Sequence, residues 1–238
     1  TPQTVAGSYS LTFGPNIADA GGKLMDQNGN GTGGEATLDR FTATGSLVQN
    51  VNRTYSASGL PLAIKDKSTT TSTIVVTESV KITDLNVKVS INHTYDGDLV
   101  ITLTSPAGKT VTLFNRRGGS GDNLTGTTFD DEATIGIASG TAPFSGTYRI
   151  EVGTGNLLSA FDGASTQGTW TLKVSDKATL NTGSLTAWSL VVNGTIGSGA
   201  GLSYAQGFLD EPTFAHESGG AFADHHFDAA PLVVTTSE

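Results

Sequence analysis

The sequence predicts an all-β protein built as a sandwich or jelly roll. Short segments of alternating apolar and polar residues recur along the chain, turn signals separate them, and helix-forming runs are scarce. The 238 residues include 31 glycines, and Thr, Ser and Val are abundant, a composition that favours turns and pleated strands. Alternation with a period of two places one face of each strand in a core and the other in water. Many short strands at such spacing are typical of a sandwich.

The individual strands follow from this alternation. Two strands are predicted near the start, and six more in the centre of the chain. They cover residues 9–13, 40–44, 87–91, 99–103, 111–114, 147–152, 170–174 and 185–192. Turn signals separate the central runs, among them Asp96-Gly, Gly118-Gly and Ser145-Gly.

Three zones organise the chain: residues 1–50, 51–194 and 195–238. The first zone has only two strands around a Gly- and Asn-rich loop, and two strands alone are marginal in water. We therefore expect it to pair with the rest of the chain or with another molecule. The third zone begins with a glycine-rich linker and ends in a lone predicted strand, residues 231–236.

Composition excludes several classes of function. The net charge of −9 and the pI near 4.8 repel nucleic acid and attract divalent cations. The absence of cysteine excludes disulfides, thiolate metal sites and a cysteine nucleophile. No apolar run is long enough to span a bilayer and no signal peptide is visible. We expect a bacterial protein that is secreted, extracellular or displayed at the cell surface.

An ordered series of short motifs runs through the centre of the chain. It comprises residues 93–99 (HTYDGDL), 105–108 (SPAG), 121–123 (GDN), 129–131 (FDD), 142–148 (APFSGTY), 161–163 (FDG), 168–172 (GTWTL), 174–176 (VSD) and 183–190 (GSLTAWSL). Taken together, residues 56–194 resemble the P domain (P/Homo B domain) of subtilisin-like proprotein convertases. The resemblance implies a jelly-roll β-sandwich, here with extra N-terminal and C-terminal strand segments. Its usual partner is a subtilisin-type catalytic domain, which the P domain stabilises.

The first zone resembles the end of a bacterial Ig-like domain. The similarity rests on residues 9–16 (YSLTFGPN), 24–28 (LMDQN) and 39–43 (DRFTA). The zone is therefore interpreted as a partial Ig-like domain or a strand-donating segment, and a longer precursor with neighbouring protease or Ig-like domains is expected.

Catalysis is not expected. The sequence lacks a serine nucleophile in a Gly-Thr-Ser helix start and a His-Gly-Thr motif, and His93 is the one histidine in the P-like zone. A Ser-His-Asp triad needs three converging groups. The chain is therefore predicted not to be an enzyme.

Oxygen-rich turns are the candidate calcium sites. In the motif DQNGNG, Asp26, Asn28 and Asn30 alternate before Gly31, a pattern that can wrap a hard cation. An EF-hand would require an acid at residue 37, which is threonine. A looser calcium loop and a polar turn without metal both remain open.

The other candidate ligands are the acids Asp96, Asp98, Asp130, Asp131, Asp122 and Asp66. Adjacent carboxylates repel unless a cation or proton lies between them, so Ca²⁺ is the predicted cofactor. The alternative assigns Asp98 and Asp130 to hydrogen-bonded turns. A C-terminal group could bind zinc, although a solvated tail is the preferred interpretation; it contains His216, Glu217, Asp224, His225, His226 and Asp228.

Two functions compete. The preferred one is a non-catalytic, calcium-stabilised extracellular structural module. Such a module could be a cell-surface domain or a filament subunit that self-associates by exchanging its terminal strands. The alternatives are an accessory P domain of a secreted subtilisin-like serine protease and an adhesive or carbohydrate-binding module.

Overall fold

The computed structural model describes residues 5–151, 157–197 and, for the backbone only, 203–204. Thirteen strands are present in these residues, with three short 3₁₀ turns. The strands are β1 (Gly7–Phe13), β2 (Phe41–Leu47), β3 (Gln49–Ser56), β4 (Leu62–Ile64), β5 (Thr69–Val76), β6 (Lys81–His93), β7 (Leu99–Thr104), β8 (Thr110–Asn115), β9 (Leu124–Phe129), β10 (Thr147–Tyr148), β11 (Gly168–Asp176), β12 (Gly183–Ile196) and β13 (Ser203–Tyr204). The predicted all-β class is confirmed.

The chain divides into two compact units. One unit comprises Thr1–Leu11 and Thr42–Tyr204, and the other comprises Thr12–Phe41 and Ala205–Glu238. In the second unit the structure describes residues 12–41, which form a turn-rich segment. The predicted C-terminal strand and the histidine-containing tail lie outside the described residues.

Two sheets of the first unit form the sandwich. The larger has the order β10-β9-β6-β12-β3, with β4 also paired to β12, and the smaller has the order β5-β11-β7-β8. The long strands β6 and β12 are antiparallel over twelve register pairs. The alternating residues that face inward from both sheets form one buried cluster. This arrangement is the predicted sandwich.

Aromatic side chains fill the centre of that cluster. Trp170 is fully buried and stacks edge-to-face on Phe161, with ring centroids 5.2 Å apart. Its indole N–H donates to the Thr166 carbonyl at 2.8 Å. Trp188 on β12 donates to the hydroxyl of Ser72 on β5 at 2.8 Å, so a hydrogen bond also joins the two sheets through the core. Both tryptophans are therefore core residues. Each has the hydrogen-bond acceptor that a buried indole N–H needs.

A third, small sheet has the order β1-β2-β13. Here Ser203 and Tyr204 of β13 pair with Thr44 and Ala43 of β2. The first zone therefore pairs with the rest of its own chain, one of the two outcomes expected for it.

The strands differ from the sequence predictions: β3, β4, β5 and β9 were not predicted, and some limits are different. The predicted strand over residues 147–152 is only two residues long in the structure, parallel to β9, and Val152 lies outside the described residues. The predicted zone boundary after residue 50 lies within β3, whose Gln49 and Asn50 pair with β12.

Candidate functional site

The predicted acidic ligands of the sandwich occupy its loops. Asp96 and Asp98 form the 3₁₀ turn Asp96–Asp98 between β6 and β7. Asp122 lies in the loop between β8 and β9, and Asp130 and Asp131 follow β9 directly. Asp66 is an exposed residue in the turn between β4 and β5. The six residues therefore do not all meet at one site.

Asp96 is the most unusual of these acids. Its residue is 0% exposed, yet among the described residues neither carboxylate oxygen has a hydrogen-bond partner. Burial, helped by the charge of Asp122, raises the pKa of Asp96 to about 7, although the nearby Asn123 amide favours the charged form. That amide makes its hydrogen bond to the His93 carbonyl, at 3.2 Å, and so does not satisfy the carboxylate. A buried carboxylate without a partner is costly unless a proton or a cation accompanies it.

A glycine-rich loop covers this carboxylate. The Asp96 N–H donates to the Gly121 carbonyl, and the Gly97 N–H donates to the Gly119 carbonyl, both at 2.8 Å. Gly118 has a φ of +83°, and a Cβ there would lie 2.7 Å from the Phe144 ring and 3.2 Å from the Asp96 Cβ. Glycine is therefore required at 118 by both conformation and space. The loop brings its backbone to the side of Asp96.

Asp98 has a different role from its neighbour. Its carboxylate accepts a hydrogen bond from the Asn181 side chain at 2.9 Å, and its carbonyl accepts one from the Lys177 amide at 2.8 Å. These bonds tie the turn after β6 to the chain after β11. The geometry matches the alternative in which Asp98 stabilises a turn.

A buried histidine and aspartate lie beside this turn. His93 Nε2 is 3.3 Å from Asp176 Oδ2, and both side chains are 0% exposed. His93 Nδ1 lies 3.0 Å from the Tyr95 carbonyl oxygen, and Asp176 also accepts the Ala178 amide at 3.0 Å. His93 is the only histidine among the described residues. Its burial leaves it no access to an external substrate.

A second acidic cluster surrounds Asp130 and Asp131. Asp130 accepts the Glu132 amide at 2.8 Å. One oxygen of Asp131 accepts the Ser159 amide at 2.8 Å, and its other oxygen is buried without a partner in the described structure.

Two neighbouring acids have raised pKa values. The pKa of Glu132 is raised by a hydrogen bond with Asp130, by burial and by the charge of Asp84. The pKa of Asp162 is raised by burial and by the charges of Asp84 and Asp131. Asp84 and Asp162 were not among the predicted ligands, because both are distant in sequence from Asp130 and Asp131. Asp162 lies in the motif FDG, but that motif alone does not mark it as a ligand.

The oxygens of the predicted loop at residues 26–31 accept backbone hydrogen bonds. Asp26 accepts the amides of Asn30 at 3.1 Å and Gly31 at 2.7 Å, and Asn28 accepts the Asn30 amide at 3.0 Å. The side chain of Asn30 accepts the amide of Thr32 at 2.7 Å and donates to Glu35 at 2.6 Å. These contacts are those of a polar turn, the alternative left open by the sequence.

Asp39 organises the same segment, and sequence reasoning missed it. It is buried, and its two oxygens accept the amides of Gln27 and Glu35, each at 2.9 Å. The hydrogen bond from the Glu35 amide is the main reason that the pKa of Asp39 is lowered, and burial opposes it. No spacing rule marks Asp39, because a carboxylate that accepts backbone amides leaves no pattern in the sequence.

Side chains alone do not assemble a metal centre in the described part of the chain. No group of three His, Cys, Asp or Glu side chains is positioned to hold an ion there. Any ion at these loops would therefore need backbone carbonyl oxygens and water as further ligands, which Ca²⁺ accepts readily. Asp96 is the best candidate for the carboxylate ligand of such an ion, because neither of its oxygens has a partner among the described residues.

A cavity of about 330 Å³ lies beside β12. Its lining includes Lys88, Trp188 and several hydroxyls, but Trp188 is buried and its N–H is held by Ser72. A sugar-binding aromatic platform needs an exposed ring face. This cavity therefore gives the carbohydrate-binding alternative little support.

Comparison with known proteins identifies the sandwich. Residues 82–192 match the family model of the proprotein convertase P-domain. This range runs from the second residue of β6 to Val192 in β12. This segment is a P domain. The family predicted from its motifs is confirmed.

Three relatives illustrate the similarity. The chain is 33% identical over 125 residues to the calcium-dependent protease of Trichormus variabilis, covering 51% of this chain and 16% of that protein. It is 33% identical over 104 residues to leupeptin-inactivating enzyme 1 of Streptomyces exfoliatus, covering 44% and 17%. The crystal structure of a serine protease of Aeromonas sobria is similar at 23% identity and a TM-score of 0.39, covering 62% of this chain and 27% of that one. The chain spans about a sixth of the length of the curated relatives it matches.

The part of the chain that the structure describes contains no helix that could span a membrane.

Proposed function

We propose that this chain is a non-catalytic, calcium-stabilised P-domain module that supports a secreted protease. The observation that carries the proposal is the match of residues 82–192 to the P-domain family. Two relatives are named calcium-dependent proteases, and the aligned segment is only 16% of each. The similarity therefore concerns a small part of much longer proteins, as expected for an accessory domain.

The chemistry of the described residues agrees with an accessory role. The one described histidine is fully buried against Asp176. The conspicuous polar feature is instead the unpartnered carboxylate of Asp96 under a glycine-rich loop. A cation that binds only the folded state stabilises it by mass action, which supports calcium as a structural ligand.

A replacement experiment tests the accessory role. In the Trichormus variabilis calcium-dependent protease, the matched segment is replaced by this full chain, and inactivation at elevated temperature is compared with that of a truncated protease. We expect the chimera to keep its activity longer than the truncated form. A matched chimera with Leu103→Asp, which buries a charge in the core, should lose that protection. Equal inactivation rates for the chimera and the truncated protease would contradict the accessory role.

Self-association is a second candidate, favoured by one observation. Among the described residues, strand β1 lies at the edge of its small sheet and exposes large apolar side chains, among them Leu11 at 57% and Tyr9 at 37%. Such an edge can accept a strand from another chain. If a filament or surface assembly forms this way, Leu11→Lys or deletion of residues 229–238 should leave monomers in light scattering. Assemblies that survive both changes would rule it out.

A further inference from the structure

The energetics of Asp96 require an explanation. Its carboxylate is fully buried, and among the described residues no hydrogen bond or ion pair reaches it. Arg116 is close, but its Nε donates to the Gly97 carbonyl at 3.1 Å. A buried, unpaired charge costs several kcal/mol. Either a proton or an external cation must therefore accompany this carboxylate in the folded protein.

The surrounding groups suit a hard cation. The carbonyls of Gly119 and Gly121 each accept one amide, which leaves a lone pair on each oxygen. Asp122 directly follows Gly121, whose carbonyl accepts the Asp96 amide at 2.8 Å, so it lies beside this turn. The loop residues 118–120 are exposed, so water and ions can reach the loop. The donors at this place are oxygens throughout, which favours Ca²⁺ over Zn²⁺.

We propose that Asp96, together with Asp122 and carbonyl oxygens of the loop at residues 118–121, binds one calcium ion. The assignment deepens the proposed calcium-stabilised module and rests on it for the identity of the ion. Both segments cross between the sheets, since β6 leads to β7 and β8 leads to β9. The ion therefore joins the two crossovers at one end of the sandwich and fixes the sheets against each other.

The decisive experiment compares Asp96→Asn with wild type and with Asp19→Asn in the full chain. The control makes the same chemical change at an exposed loop residue that is not among the candidate ligands. Thermal midpoints are measured in chelator and in saturating Ca²⁺. We expect wild type and D19N to gain several degrees with Ca²⁺ and D96N to gain none. In chelator, D96N should melt at or above the wild-type midpoint, because the substitution removes an unpaired buried charge.

The outcomes separate the two proposals. A calcium shift that persists undiminished in D96N would overturn the site and leave a calcium-stabilised module intact. No shift in wild type would overturn both the site and calcium stabilisation, while the protease replacement experiment would still decide the accessory role. A D96N variant less stable than wild type in chelator would mean that Asp96 is a structural acceptor and not a ligand.

A second measurement locates the ion without changing Asp96. Tyr95 precedes Asp96, its ring approaches Gly97, and it is partly exposed. Terbium bound at the site should therefore emit when tyrosine is excited. Tyr95→Phe should remove most of this emission while keeping the calcium-dependent rise in melting temperature. Unchanged emission in Y95F would place the ion elsewhere.

Discussion

The buried pair of His93 and Asp176 gives the sharpest prediction about stability. The two side chains are 3.3 Å apart and 0% exposed, and they join the end of β6 to the end of β11. With His93→Leu, the Asp176 carboxylate keeps only the Ala178 amide among its described partners and stays buried. Removal of one partner of a buried pair costs about 3–5 kcal/mol. At about 2–4 °C per kcal/mol for a chain of this size, the melting temperature should fall by about 6–20 °C.

A double-mutant cycle separates the pair from the rest of the core. The variants are His93→Leu, Asp176→Leu and the double variant, measured by urea unfolding with tryptophan fluorescence. We expect the double variant to lose less stability than the sum of the single variants, with a coupling of about 0.5–3 kcal/mol. The control is Glu78→Gln, which breaks the half-exposed pair of Glu78 with Arg53 at 3.0 Å and should cost far less.

Two results would refute this reasoning. Additive losses would mean that the residues are buried side by side without interacting. A loss no larger than that of Glu78→Gln would mean that water reaches the pair in solution, because only burial makes the unpaired charge costly.

Three further predictions concern the core, the loop and the response to acid. Leu103→Ala in the centre of β7, which is 0% exposed, should cost about 2–5 kcal/mol in urea unfolding, whereas Val75→Ala at 69% exposure should cost little; equal losses would contradict the assigned core. Gly118→Ala should lower the melting temperature through its φ of +83° and its clash with an aromatic ring, whereas Gly136→Ala, with open space around it, should be nearly neutral; the reverse order would disprove the loop geometry. The pKa of Glu78 is lowered, mainly by the hydrogen bond from its arginine partner, so the stability it contributes is present above its unfolded pKa near 4.5 and is lost as pH falls below it. Glu78→Gln should therefore flatten the acid side of the stability profile, and an unchanged profile would show that the pair contributes nothing.

The fold could be predicted where one face of a strand is apolar and the other polar. Strands β7, β8, β11 and β12 were predicted because their inward positions are aliphatic or aromatic. Strand β5 was missed because Ser72 occupies an inward position, where its hydroxyl accepts the Trp188 N–H. Strand β3 was missed because only Val51 and Tyr55 mark its inner face among polar neighbours. A buried polar residue with a distant partner hides the alternation on which strand prediction depends.

The candidate site was predictable in part. The motif HTYDGDL singled out Asp96 and Asp98, but their different environments depend on contacts with residues far along the chain. Asn181 satisfies Asp98, whereas Asp96 faces the glycine-rich loop without a partner. Sequence spacing reports which acids are near each other along the chain, and it does not report which of them the fold deprives of hydrogen bonds.

Crystals of the full chain grown in Ca²⁺, with anomalous data collected at a long wavelength, would show whether an ion lies beside Asp96. We expect an anomalous peak about 2.3–2.6 Å from the Asp96 carboxylate, with carbonyl oxygens of the neighbouring loop and water completing the shell. A carboxyl group that is instead buried with no ion beside it at saturating Ca²⁺ would contradict the proposed site.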